Sequence, residues 1–389
     1  MEKLVGHYRT LIDSTSLQFV RYLYEKIDWN DRFIAILGAR GVGKTTLLLQ
    51  RIKQTHLPNE ALYVSADDIY FTENKLFDLA DTFYKNQGRF LYIDEIHKYP
   101  NWSKELKMMY DYLPYLQVVF TGSSILDIYK GSDDLSRRVI RYEMQGLSFR
   151  EYLSMTQHVE IKEYSLGEIL DHKVELPTIS HPLVHFKEYL KRGYYPFFSE
   201  PNYEIKLQNV INVTLEQDIP AFANMNFSTA QKLKHLMQII SESVSFKPNF
   251  TKISEIIQVH RNSTTDYFHY LEKAGLILQL RVASSGLRAL EKVEKVFLEN
   301  PNLMYALSGS KTDIGNVREC FFYNQMKLNF DVFGSEKGDF KIEKYTFEIG
   351  GKRKNQTQVA GLENAFIVRD DIEYGYMNVV PLWHFGMNY

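Results

Sequence analysis

A single cysteine, Cys320, is all the thiol chemistry available to this 389-residue chain. An internal disulfide framework is therefore excluded, and a reducing compartment suits the composition. Charge of one predominant sign is lacking too. Lys and Arg number 46 against 48 Asp and Glu, a formal net charge of −2. The chain as a whole thus carries no electrostatic footprint for nucleic acid, and such binding needs a local patch. No apolar run approaches the length that crosses a bilayer. The opening Met-Glu-Lys-Leu-Val-Gly-His lacks the basic region and apolar run of a secretory signal. A cytoplasmic protein without a membrane partner is the expectation. Aromatic residues, by contrast, are plentiful: 27 Tyr and 25 Phe. They point to core and half-buried packing before a base-stacking surface. The length allows two or three domains with proper cores.

The first 150 residues alternate short apolar runs with helical segments. Strands are expected at Phe33–Leu37, Ala61–Val64, Phe90–Asp94, Gln117–Thr121 and Arg138–Glu143. That rhythm predicts an α/β fold with a parallel sheet covered by helices. From about Leu147 to Ser228 the pattern turns helical and irregular, with a polar linker-like stretch near Asp171–His181. Ile253, Ile256 and Ile257 then give one helix an apolar face. After a polar turn, Ser263-Thr264-Thr265-Asp266 fits a capping box, and Tyr267, Tyr270, Leu271 and Ala274 fall at helical spacing. Gly275 stops that helix, and Leu276–Leu280 reads as a strand. Helix, turn, helix, Gly, strand is the order of a winged helix-turn-helix. The remainder, from about Arg281, reads as mixed α/β.

Gly38-Ala39-Arg40-Gly41-Val42-Gly43-Lys44-Thr45 fills the pattern G-x-x-x-x-G-K-[ST], with a strand entering it and a helix, Thr45–Lys53, leaving it. Glycines let backbone N–H groups turn inward around phosphate oxygens, and a helix N-terminus favours the negative charge. Lys44 is expected to reach the β- and γ-phosphates and Thr45 to coordinate Mg2+, with Thr46 completing the nucleotide-binding run. Some 50 residues on, Phe90-Leu91-Tyr92-Ile93 delivers Asp94 and Glu95 at a strand end. Asp94 is expected to hold the metal and Glu95 to activate the attacking water. The strand Gln117–Thr121 ends in Thr121-Gly122-Ser123-Ser124, where a small polar side chain either contacts the γ-phosphate or the attacking water from the neighbouring strand or simply ends a strand. Arg137 and Arg138 fit an arginine finger and a solvated charged edge equally well. The closest approach to the guanine-reading Asn-Lys-x-Asp is Asn74-Lys75-Leu76-Phe77-Asp78, one residue too long, so ATP is the expected nucleotide.

These motifs, together with Phe120–Ser123, Arg137-Arg138 and the run Gly146-Leu147-Ser148-Phe149-Arg150-Glu151-Tyr152-Leu153, give the chain its resemblance to a prokaryotic group of AAA-type ATPases with a C-terminal domain of unknown function. Arg192-Gly193-Tyr194-Tyr195-Pro196 and Asp218-Ile219-Pro220 stand where that group has a Gly-Gly-x-Pro-like turn and an Asp-Ile pair. Arg192 replaces the first glycine. The resemblance implies an AAA core over residues 1–146, a helical lid and linker over 147–228, a winged helix over 229–282 and a restriction-nuclease-like domain over 283–389. It also implies Ser123 as the sensor and Arg138 as the finger, acting across a homo-oligomer.

Restriction-like nucleases place an Asp and then a Glu-x-Lys on adjacent strands to hold a divalent ion. Asp339 and Glu348 lie on what reads as a hairpin, and Glu319, on a helix, is a further acidic candidate. The lysine arrives two residues late, at Lys352, with the right strand parity but further along. A degenerate nuclease site is therefore expected. Around the winged helix, Lys232, Lys234, His235, Lys247, Lys252, His260 and Arg261 are interrupted by Glu242, Glu255 and Asp266, which leaves DNA and a protein partner both open. The readings that stand are an ATPase driving a DNA- or protein-directed module, a slow ATP-dependent switch, and an ATP-regulated nuclease.

Overall fold

In the computed structural model the described residues are 2–57, 59–122, 135, 137–223, 225, 227–242, 246–282, 292–354, 359 and 361–389. The chain divides into two compact units, Met1–Gly146 and Leu147–Tyr389.

The first unit holds helix α1 (Glu2–Ser14), strand β1 (Phe33–Leu37), helix α2 (Lys44–Thr55), β2 (Ala61–Ser65), helix α3 (Leu76–Lys85), β3 (Phe90–Asp94), helix α4 (Trp102–Tyr112), β4 (Gln117–Gly122) and β5 (Ile140–Glu143). The strands form one sheet in the order β2-β3-β4-β1-β5, and every pairing is parallel. All five residues of β1 are buried. That is why it reads as an unbroken apolar run rather than an alternating one. Four of the five expected strands appear within a residue of their predicted ends. The fifth starts two residues late, because the Arg138 and Val139 N–H groups donate to the Leu135 carbonyl in a turn. Helix α2 buries Leu47, Leu48 and Ile52, and α1 packs on α2 and β2. The Asn74–Asp78 segment runs into α3.

The second unit begins with helices and ends in a sheet. Helix α5 (Phe149–Gln157) opens on a capping box made by Ser148 and Glu151. Helices α6 (Phe227–Glu242), α7 (Phe250–Ile257) and α8 (Arg261–Lys273) precede the hairpin β6 (Ile277–Val282) and β7 (Val293–Leu298). Helices α9 (Pro301–Ser308) and α10 (Ile314–Met326) lead to β8 (Val332–Gly334), β9 (Phe340–Ile342), β10 (Tyr345–Gly350), β11 (Ala365–Arg369) and β12 (Val379–Pro381). These seven strands form one mixed sheet, ordered β12-β11-β10-β9-β8-β6-β7. The antiparallel pair β6 and β7 spans the expected 282/283 division. No helix among the described residues is long and apolar enough to cross a membrane.

Two local expectations change. Helix α8 starts at Arg261, not after Ser263. The His260 imidazole takes the capping role, accepting the Asn262 N–H at 3.3 Å. In α7, Ile253 and Ile257 are buried, but Ile256 faces solvent and Ser254 takes a buried place.

A buried amide organises the irregular stretch around Gly193. Asn302 accepts from the Tyr194 N–H at 2.7 Å and the Tyr203 hydroxyl at 2.9 Å, and donates to the Tyr189 and Leu190 carbonyls at 3.0 and 2.9 Å. Asn302→Ala strands these groups away from water, where each unmade bond to a buried partner costs about 1–3 kcal/mol. The expected loss is on the order of 3 kcal/mol or more, read from urea denaturation. A loss below about 1 kcal/mol would show that the segment does not depend on this amide.

Candidate functional site

Strand β1 delivers the chain to a loop whose glycines have distinct steric reasons. A Cβ at Gly38 would run into the Met144 carbonyl. Gly41 and Gly43 have φ values of 84° and 98°, left-handed backbone that a side chain opposes. Gly43 is the N-cap of α2, so Lys44, Thr45 and Thr46 begin the helix at its positive end. Lys44 is buried, and its Nζ donates to the Gly38 and Ala39 carbonyls at 2.8 Å each. Behind the loop, the buried Arg21 donates to the Val42 carbonyl and, at 2.8 and 2.9 Å, to those of Gln145 and Gly146. No motif marked Arg21, yet it braces the loop.

The parallel register brings the second motif alongside. Thr45 Oγ1 donates to Asp94 Oδ2 at 2.6 Å, so residues 49 positions apart meet at one carboxylate. Asp94 accepts two further hydroxyls: Tyr63 on Oδ2 at 2.9 Å, and Thr121 on Oδ1. Thr121 also accepts the Glu95 N–H at 3.0 Å. Tyr63 carries no motif in the sequence; Thr121 opens the small polar run expected near the γ-phosphate, and its contacts are with Asp94 and the Glu95 N–H. Burial first, then the charge of Asp94, push the Tyr63 phenol well above the ordinary tyrosine range, so it stays a donor. Glu95 adopts the left-handed conformation, φ 49° and ψ 44°. Its Oε1 lies 3.6 Å from the Arg40 guanidinium. Burial raises the Glu95 carboxyl above its ordinary 4.5, Arg40 opposes that rise, and Asp94 adds to it.

A hydroxyl and a carboxylate in hydrogen-bond contact at a strand end form an oxygen-only donor set. That set fits Mg2+, which takes one or two protein oxygens and keeps waters.

Ser123 lies outside the described residues. Arg138 is not brought to this loop. It precedes β5, near the N-terminal end of the sheet, whereas the loop follows the C-terminal end of β1. There its Nη2 lies 3.3 Å from Asp111 Oδ1, with the guanidinium over the Tyr110 ring. Arg137 is exposed.

In the second unit, Asp339 and Glu348 are brought together as neighbours across the β9–β10 hairpin. The Asp339 N–H donates to the Phe347 carbonyl at 2.9 Å, and Asp339 Oδ2 accepts the Ile349 N–H at 2.7 Å. Lys295 joins Glu319 at 2.9 Å to Asp339 at 3.8 Å. Lys352 is not part of the cluster and is exposed. Its expected place is taken by Lys354, whose amino group pairs with Glu348. Burial pushes the Glu348 carboxyl up, against the hydrogen bond from Lys354. Among the described residues, no group of three or more His, Cys, Asp or Glu side chains is arranged to hold a metal ion.

Residues 30–153 match the family described as an AAA domain. The N-terminal unit has the AAA-type P-loop NTPase fold. The AAA-domain match supports a nucleotide-binding ATPase in general terms. Residues 183–313 match a domain of unknown function, DUF8612. An uncharacterized protein of Methanocaldococcus jannaschii is 29% identical over 306 residues, covering 72% of this chain and 64% of that one. The match therefore spans less than two-thirds of the archaeal protein. Among solved structures, PCH-2 of C. elegans aligns with 15% identity over 70% of this chain and 66% of its own, at a TM-score of 0.27. A likeness that weak carries no argument.

Proposed function

We propose that this chain binds ATP with Mg2+, hydrolyses it, and uses the nucleotide state to drive the 147–389 unit in acting on DNA or a protein partner. The supporting observation is the meeting of Thr45 and Asp94 at 2.6 Å beside Glu95, at the mouth of the glycine loop. Backbone N–H groups from Gly38, Ala39, Arg40, Gly41, Val42 and Gly43, with Lys44, Thr45 and Thr46, cradle the phosphates. Thr45 and Asp94 hold Mg2+, which when bound offsets phosphate charge. Glu95 takes a proton from the water that attacks the γ-phosphorus, and the bond to the β–γ bridging oxygen breaks, leaving ADP and phosphate. Ser123 serves as sensor, and Arg138 reaches the nucleotide of a neighbouring copy.

For the second unit, the helix-turn-helix order of α7 and α8 supports a DNA role. Arg261, Asn262, Thr265 and His269 lie exposed on α8, interrupted by Asp266. Part of the basic cluster is already engaged: Lys234 pairs with Glu216, and Lys232 donates to the Gln258 carbonyl. The lysine-paired carboxylates Glu319, Asp339 and Glu348, with Lys352 directed elsewhere, support a degenerate nuclease site rather than a working one. One observation favours the slow-switch reading: the Arg40–Glu95 pair restrains the water-activating carboxylate.

Steady-state ATP turnover with and without duplex and single-stranded DNA separates these readings. DNA-stimulated turnover with intact DNA is expected. Slow turnover indifferent to DNA would favour the switch. Cleavage lost in both Asp339→Ala and Glu348→Ala would establish a nuclease instead.

A further inference from the structure

We propose that Tyr63 is a positioning residue for the metal site, its hydroxyl fixing the carboxylate of Asp94 in the orientation that receives the divalent ion. This rests on the reading of Asp94 as a metal-holding residue.

The geometry comes from strand register. Ser65 stands opposite Asp94 across the β2–β3 pair, but its hydroxyl bonds to Asp67 at 2.5 Å. Tyr63, two residues earlier and on the same face of β2, spans the gap because its ring is long enough. Its hydroxyl reaches Asp94 Oδ2 at 2.9 Å. Asp94 therefore carries donors from three elements: Thr45 from α2, Tyr63 from β2 and Thr121 from β4. Thr45 can donate its proton to Asp94 while offering a lone pair to an ion. The other two hydroxyls sit one on each carboxylate oxygen, and Thr121 also accepts the Glu95 N–H. Between them they fix the rotation of the carboxylate plane. Tyr63 and Asp94 are each 4% exposed and Thr121 is fully buried, so water does not readily replace a lost donor.

The phenol is itself held from α1. The Tyr8 ring meets that of Tyr63 edge-on at 4.9 Å between centroids. The Tyr8 hydroxyl accepts the Ser65 N–H at 3.0 Å and donates to Asp68 at 3.1 Å. A tyrosine so clamped selects one orientation of the carboxylate it touches. Outer-shell partners of this kind are typically worth about 10–100-fold in metal affinity.

The test follows Mn2+ binding by its paramagnetic resonance signal in the full chain saturated with a non-hydrolysable ATP analogue, alongside analogue affinity in excess EDTA. Wild type is compared with Tyr63→Phe, Asp94→Asn and the double variant. Tyr63→Phe keeps the ring against Tyr8 and should leave affinity in EDTA unchanged, which also reports a folded loop. It should weaken Mn2+ binding about tenfold or more. Combined with Asp94→Asn it should add nothing, because its only route to the ion is gone. An unchanged Mn2+ affinity in Tyr63→Phe, or full additivity in the double variant, overturns the proposal. Mn2+ binding indifferent to Asp94→Asn would instead sink the underlying reading of Asp94.

Discussion

Glu95→Gln is expected to lower kcat by about 10²–10⁴-fold while leaving ATP affinity unchanged, because shape is kept and the proton acceptor is lost. The same assignment fixes the pH dependence. Only the carboxylate accepts a proton, and burial raises this carboxyl above its ordinary 4.5. Turnover should therefore fall with decreasing pH on a limb lying above the usual glutamate range. Arg40 opposes that rise, so Arg40→Ala should move the limb to higher pH. Wild-type turnover by Glu95→Gln would show that another group activates the water.

Arg138→Ala should cost about 10³–10⁵ in kcat if its guanidinium neutralises transition-state charge. Arg138 lies near the end of the sheet opposite its own loop, against Asp111 and Tyr110. It can act only on a neighbouring copy. Mixing Arg138→Ala with Lys44→Ala subunits should then restore part of the activity, since one site in the mixture combines an intact loop with an intact arginine. No recovery, with a monomer persisting in ATP, would return Arg138 to a structural edge pair.

The sheet and the glycine loop were legible in the sequence for physical reasons. Strands such as Phe33–Leu37, buried on both faces, leave short unbroken apolar runs. Gly38, Gly41 and Gly43 each answer a steric demand that other residues meet poorly. The bonds from Tyr63 and Thr121 to Asp94 were not legible, because they cross strand register from 31 and 27 residues away. The expectation for Lys352 used strand parity past the point where the strand ends. After Gly350 the chain turns, and the Lys354 N–H bonds to the Gly351 carbonyl at 2.9 Å. Parity no longer governs there, and Lys354 swings onto Glu348 instead. His260 does not read as a cap in the sequence, because histidine is an uncommon acceptor at that position.

Phosphate release tests most directly whether Lys44 and its loop hold ATP for hydrolysis. Wild-type protein and Lys44→Ala are compared at saturating ATP and Mg2+, with ATP binding measured on the same samples. Turnover by wild type, with both binding and turnover lost in Lys44→Ala, is the predicted result. Equal ATP binding and turnover in the two proteins would contradict the account.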